Sequence, residues 1–199
     1  VSYDKHLLDI KEFEGIKKEI DSYNEEREQI IQKSHKIIHL SKKIIYSLIK
    51  EKVQESQIKE IKVLVKDLQK TKGALEFSSI YKAALQEYVE AIAFYIFIKE
   101  KRLMTLKEAA VGVEEYLLGI CDLTGELVRK AVKSVIDGKH QEVYTIQEFM
   151  DIIYRQFLDF NFANGELRKK SDSIKWNLKK IEDITYELKL RKMGEKNGI

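Results

Sequence analysis

The 199-residue chain has no proline, one cysteine, one tryptophan and only nine glycines. Proline removes a backbone donor and clashes with the preceding turn, so without it nothing interrupts a long helix. A single thiol, Cys121, excludes an intramolecular disulfide framework and any cysteine-based zinc site, and it fits a reducing compartment. Long apolar runs are also missing. The longest, Ala91 to Ile98, falls far short of the roughly 20 residues that span a bilayer. No secretory signal pattern, glycine-rich phosphate loop or nucleophile elbow is present. These absences lead us to expect a soluble, cytoplasmic protein with no membrane segment.

What is present is charge and helical periodicity. Charged side chains make up 35% of the chain, yet the net charge is only +3. The balance is uneven: Lys33 to Lys72 holds eleven lysines against four acids, a local +7, and the remainder carries −4. A basic segment beside an acidic remainder points to an anionic partner, or to lysine-rich solvated helix faces. Lys59, Lys62, Lys66 and Lys70 form one helical stripe within it.

Apolar residues recur at helical spacing almost throughout, with no strand alternation and no internal repeat. The pattern predicts a first helix from Tyr3 or Asp4 to about Lys52, with a break near Ser22 to Asn24. Ser56 should cap a second helix that ends at Gly73, and a third should run from Ala74 or Ser78 to Lys101. Thr105 and Glu108 have capping-box spacing for a short fourth helix stopped near Gly112. A fifth spans Val113 to Ile136, closed by Asp137-Gly138-Lys139. Thr145 and Glu148 repeat the capping-box spacing before a helix through Phe160, and Asn164-Gly165 turns into a last helix ending near Lys192. The expected fold is a single all-α bundle of about seven helices over residues 1–193, followed by a flexible tail over 194–199.

Two helices break the amphipathic rule. From Ala83 to Ile98, tyrosines aside, the only polar residues are Gln86, Glu87 and Glu90, so the helix must be buried on all sides. Glu87 and Glu90 share one of its faces. The segment Tyr116 to Val128 repeats the situation with Asp122 and Glu126 at i and i+4. Carboxylates in apolar helices are costly unless a cation, a basic side chain or a bound metal compensates them. Gly119 and Gly125 in the same helix allow either close helix packing or close approach of a ligand. Two helices each offering two acids match what a hard divalent cation needs, Mg²⁺ or Mn²⁺; pairing with Lys or Arg is the structural alternative. Di-iron chemistry is excluded, because residues Tyr3, Gln32, Lys36 and Asp137 precede the four histidines by three and no Glu-x-x-His exists. His35 and His39 lack further zinc ligands, and Cys121 reads as an inert buried thiol. Hydrolysis by a metal-activated water is the one chemistry the sequence positively supports.

The same stretches resemble the translin superfamily, and within it the Trax (translin-associated factor X) branch. The resemblance is carried by Leu85-Gln-Glu-Tyr-Val-Glu-Ala91 and by Tyr116-Leu-Leu-Gly-Ile-Cys-Asp-Leu-Thr-Gly-Glu-Leu-Val-Arg129. Ser41-Lys-Lys43, Phe97-Ile-Lys99, Ser134-Val-x-x-Gly138 and the segment from Lys180 to Arg191 are also family-like. The resemblance implies a helical subunit of a hollow, octamer-type homo-oligomeric shell. It further implies a Mg²⁺-dependent endoribonuclease whose acids fall on Glu87, Glu90, Asp122 and Glu126, acting on single-stranded RNA or possibly DNA. Lys42, Lys43, Lys59, Lys62, Lys66 and Arg129 are the candidate phosphate contacts. The chain lacks the long insertions of eukaryotic Trax, so a role in RNA interference does not transfer. Two alternatives stand beside this reading: a non-catalytic translin-like nucleic-acid-binding shell, and a helical adaptor whose acids are paired to basic side chains.

Overall fold

A computed structural model describes residues 8–71 and 79–196, with side chains described through 193. Seven helices follow one another: α1 (Ile10–Ile49), α2 (Glu55–Gln69), α3 (Ser79–Glu100), α4 (Leu106–Ala109), α5 (Val113–Ile136), α6 (His140–Leu158) and α7 (Glu166–Lys196). Among the described residues there is no strand, and no helix is long and apolar enough to cross a membrane.

Helix α1 starts where Asp9 accepts the backbone N–H groups of Lys11 and Glu12, at 3.0 and 3.3 Å. It then runs unbroken for 40 residues. The expected break near Ser22 to Asn24 does not occur, because exposed Ser and Asn each cost a helix only a fraction of a kcal/mol. Its second half buries Ile30, Ile37, Ile44 and Leu48, whereas residues 8–29 are exposed. Gln54, not Ser56, sits at the start of α2. Tyr3, Asp4, Gly73, Ala74 and Ser78 lie outside the described residues.

The capping box of α4 is complete, Thr105 and Glu108 each satisfying the other's backbone. Helix α5 closes as the sequence predicts: Gly138 adopts φ +71° and the Lys139 N–H returns to the Ser134 carbonyl at 2.8 Å. The second capping box does not form. Helix α6 begins at His140, and the Thr145 hydroxyl donates back to the Gln141 carbonyl at 3.2 Å as an interior residue. Helix α7 extends to Lys196, past the expected stop near Lys192, so residues 194–196 of the expected tail are helical.

Helix α3 lies at the centre, packed between α1 and α5, while α5 also meets α6 and α7. Phe94 and Phe97 are fully buried there, and Phe97 stacks on Phe149 of α6 with ring centroids 4.4 Å apart. Gly119 resolves one of the two glycine questions. A Cβ at this position would lie 2.6 Å from Val89 Cβ and 2.8 Å from the Gln86 carbonyl, so its hydrogen lets α5 close on α3. At Gly125 a Cβ would meet only Asn177 Nδ2, at 3.8 Å.

One buried charge was not foreseen from the sequence. Lys130 of α5 is 1% exposed, and its ammonium bridges Glu51 at 2.8 Å and Glu142 at 3.2 Å. Glu51, in the α1–α2 turn, holds the left-handed backbone conformation at φ +58° and also accepts from Lys139 at 2.6 Å. This network ties the end of α1 to α5 and α6.

Candidate metal centre

Helical spacing explains why the acids share a space. Glu87 and Glu90 lie on the face that α3 turns toward α5, and Asp122 and Glu126 lie one turn apart on the facing side of α5. The contact at Gly119 holds the two helices together just below. All four acids line one cavity of about 600 Å³, walled also by Lys42 and Tyr46 of α1, Cys121, Gly125 and Arg129 of α5, and Ser173 and Asn177 of α7.

Three of the acids have a basic neighbour. Asp122 receives the Lys170 ammonium at 2.7 and 2.9 Å and a short hydrogen bond from the Gln86 amide. Glu126 is paired with Arg129, at 2.7 and 2.9 Å. Glu87 has Lys42 more loosely, at 3.7 Å. Burial nevertheless pushes the Glu87 carboxyl above its usual range, with the Asp122 charge adding to the rise and Lys42 opposing it.

Glu90 is different. It is 9% exposed, and among the described residues no hydrogen bond or ion pair reaches its carboxylate. Burial, followed by repulsion from Asp122, Glu87 and Glu126 and opposed by the weaker attraction of Lys170, pushes it up to about 8 from an ordinary 4.5. The other three acids thus stand close enough to act on Glu90 across the cavity that all four line. Among the described residues no three His, Cys, Asp or Glu side chains form a group that could hold a metal ion as they stand. The donor set still suits a hard cation: it is all oxygen, it comes from two facing helices, and it includes one buried carboxyl that makes no ion pair of its own. The close basic partners of Asp122 and Glu126 are what the adaptor reading expects, but Glu90 makes no such pair.

The basic candidates divide. Lys42 and Arg129 line the acid cavity, and Lys43 lines a shallower neighbouring one with His39, Tyr46 and Gln57. Lys59, Lys62 and Lys66 are exposed on α2, which packs against α1 and α3 and contributes nothing to the acid cavity. Cys121 is buried and its thiol is pushed up to about 12 by burial first, consistent with an inert group. Sequence reasoning missed the contribution of α7. Lys170 lies 48 residues from Asp122, and nothing local marks it among the neighbouring lysines; Asn177, which donates to Thr124 Oγ1 at 2.9 Å, is equally silent.

A seven-helix all-α fold with buried and half-buried carboxylates facing each other across its two central helices defines a narrow class of protein. The Translin family model matches residues 25–192, and the chain belongs to that family. It is 28% identical to Translin-associated protein X of Mus musculus, over 90% of this chain and 78% of the mouse protein. The solved structure of apo-NeC3PO superimposes with a TM-score of 0.80 at 30% identity, over 87% of this chain and 95% of that one. A complex of AfC3PO with duplex RNA gives a TM-score of 0.77 at 26% identity, over 92% and 98% respectively.

Proposed function

We propose that the chain is a metal-dependent endoribonuclease that cleaves single-stranded RNA, and that its copies assemble into an octamer-type shell. One observation carries the catalytic part. Glu90 is buried among three other acids and makes no ion pair among the described residues, so without a cation it stays protonated up to about 8, whereas a bound metal would let it ionise and act as a ligand. Family membership and the duplex-RNA complex of a structural neighbour support RNA as the ligand.

Glu87, Glu90, Asp122 and Glu126 would hold Mg²⁺ or Mn²⁺, which supplies a water acidified by the cation and neutralises charge on the leaving oxygen. The chain's own groups do the rest. Lys42 and Arg129 at the cavity wall attract and orient the phosphate, and Lys170 balances acid charge while the site awaits its ligands. An acid of the set, Glu126 in our assignment, accepts the proton of the attacking water. Attack by water on phosphorus with breakage of the P–O3′ bond, the 3′-oxygen leaving as a hydroxyl, gives 5′-phosphate and 3′-hydroxyl ends.

The test is end-labelled single-stranded RNA incubated with and without Mg²⁺, wild type beside Glu90→Ala, with Mn²⁺ binding measured by calorimetry. Cleavage and Mn²⁺ binding should both disappear in the variant while its native mass is retained. Undiminished cleavage by the purified variant refutes the assignment. A second reading, an RNA-binding shell without catalysis, draws on the Lys170–Asp122 and Arg129–Glu126 pairs. It requires both proteins to bind RNA and neither to cut it.

A further inference from the structure

A second cavity, of about 380 Å³, opens beside the acid cavity where α6 turns into α7. Its walls are aromatic. Phe157 meets Phe160 edge-on with centroids 5.7 Å apart, and Phe160 tilts against Phe162 at 5.2 Å. Trp176 of α7 stands across from them. Phe157 packs in part against the core, but the outer rings are not spent on it: Phe160 is 47% and Trp176 61% exposed.

The polar rim is basic. Arg168 and Lys175 line the cavity, Arg168 sharing a loose and exposed contact with Asp172 at 3.8 Å. Among the described residues Lys175 has no ion pair. From Glu166 to Lys180, α7 carries six basic residues against two acidic ones, a local charge that suits a polyanion.

Helical register couples this cradle to the acid cavity. Ser173 and Asn177 of α7 line the acid cavity, while Asp172 and Trp176, one position earlier and so rotated by about 100°, line the aromatic one. The two cavities flank the same two turns of one helix, about 10–12 Å across. A flexible strand with its phosphate at the acids can wrap that helix and lay a neighbouring base against Trp176.

We propose that this cradle is a stacking subsite for one unpaired base of the RNA, with Arg168 and Lys175 on the adjoining phosphate. The proposal rests on the nuclease reading and deepens it by naming what the site selects: a base free of a complementary strand, because base-paired residues present no open face. Charge favours RNA over a second protein copy as the occupant, since the rim's two cations, Arg168 and Lys175, outnumber its one acid, Asp172.

Trp176 is the single tryptophan of the chain, so its emission reports on this cavity alone. The full-length protein, kept in EDTA so that no strand is cut, is titrated with a single-stranded oligoribonucleotide, a blunt duplex and an abasic strand. Binding is followed by anisotropy and Trp176 emission together. The single strand should quench Trp176 saturably, and the other two should bind without quenching. Trp176→Ala should weaken single-strand binding by about five- to one-hundred-fold, as expected for one stacked base, with native mass unchanged. Phe160→Leu, which keeps an apolar wall, should weaken it less.

Binding of the single strand with no change in Trp176 emission overturns the subsite. So does loss of native mass in Trp176→Ala, which would make the patch a contact between copies. Cleavage that depends on Mg²⁺ and on Glu90 while Trp176 stays silent would show that the subsite fails and the nuclease reading survives.

Discussion

Replacing Gly119 by alanine sets two opposed effects against each other, and the structure decides which wins. Alanine in a helix interior is favoured over glycine by up to about 1 kcal/mol. The new methyl would sit 2.6 Å from Val89 Cβ and Cγ1 and 2.8 Å from the Gln86 carbonyl, where 3.4 Å is an ordinary contact. The helices must part by the difference, 3.4 − 2.6 = 0.8 Å, and the nearest atoms belong to a β-branched side chain and to backbone, which yield little. Overpacking of this kind costs about 1–3 kcal/mol, so the net expectation is a loss of up to about 2 kcal/mol in urea denaturation. The larger effect falls on function. Gln86 and Val89 flank Glu87 and Glu90, so the same shift moves one acid pair relative to the other, and a misplacement near 1 Å costs about a hundredfold in rate. Gly125→Ala is the matched control, because its methyl meets only Asn177 at 3.8 Å and should be neutral or stabilising. A Gly119→Ala protein at least as stable as Gly125→Ala and as active as the wild type would refute the close-packing account.

The Glu90 carboxyl sits at about 8 against an ordinary 4.5, so in EDTA the stability of the wild type should fall as pH rises between those values; Glu90→Gln should flatten a plot of Tm against pH. Glu51 behaves oppositely. Hydrogen bonds from Lys130 and then Lys139 hold it at about 2, so its contribution is present above 4.5 and lost as pH falls toward 2. Glu51 is nearly half exposed, so solvent screening limits that contribution; Glu51→Gln should cost about 1–3 kcal/mol at neutral pH, read by urea denaturation, and converge with wild type in acid. RNA affinity should fall steeply with salt, and Lys42→Ala or Arg129→Ala should each reduce the log–log slope by about 0.7. The triple replacement of Lys59, Lys62 and Lys66 should leave that slope unchanged, since none of them lines the cavity.

Most of the helices were legible because their determinants are local. The capping box at Thr105 and Glu108 and the glycine stop at Gly138 are fixed by residues within one turn, and both formed as read. Thr145 and Glu148 have the same spacing but lie inside α6, because a helix that can start earlier and bury Val143 and Ile146 overrides a cap signal. The four acids were visible as polar residues in otherwise apolar helices, a contradiction that sequence alone displays. Their partners were not. Lys170 and Lys130 are two of many lysines, and only the packing of α7 on α5, or of the α1–α2 turn on α5 and α6, separates them from solvated neighbours. The α2 stripe is the converse case: charge density along a helix does not say which face of the fold it occupies, and this stripe lies outside the acid cavity.

Arg129 and Lys130 are consecutive on α5, yet one lines the acid cavity and the other is buried, its ammonium between the carboxylates of Glu51 and Glu142. The buried ammonium acts as an azimuthal pin. Turning α5 about its own axis by about 10° would carry a carboxylate on its surface by about 1 Å. The same turn would pull Lys130 from Glu51 and Glu142 and leave a desolvated charge behind, a far greater cost than a sliding apolar contact would exact. Gly119 sets how far α5 stands from α3, and Lys130 sets the angle at which it faces α3. Distance and angle are therefore fixed by two unrelated interactions, so either can be altered by mutation and its effect on the acid geometry measured separately.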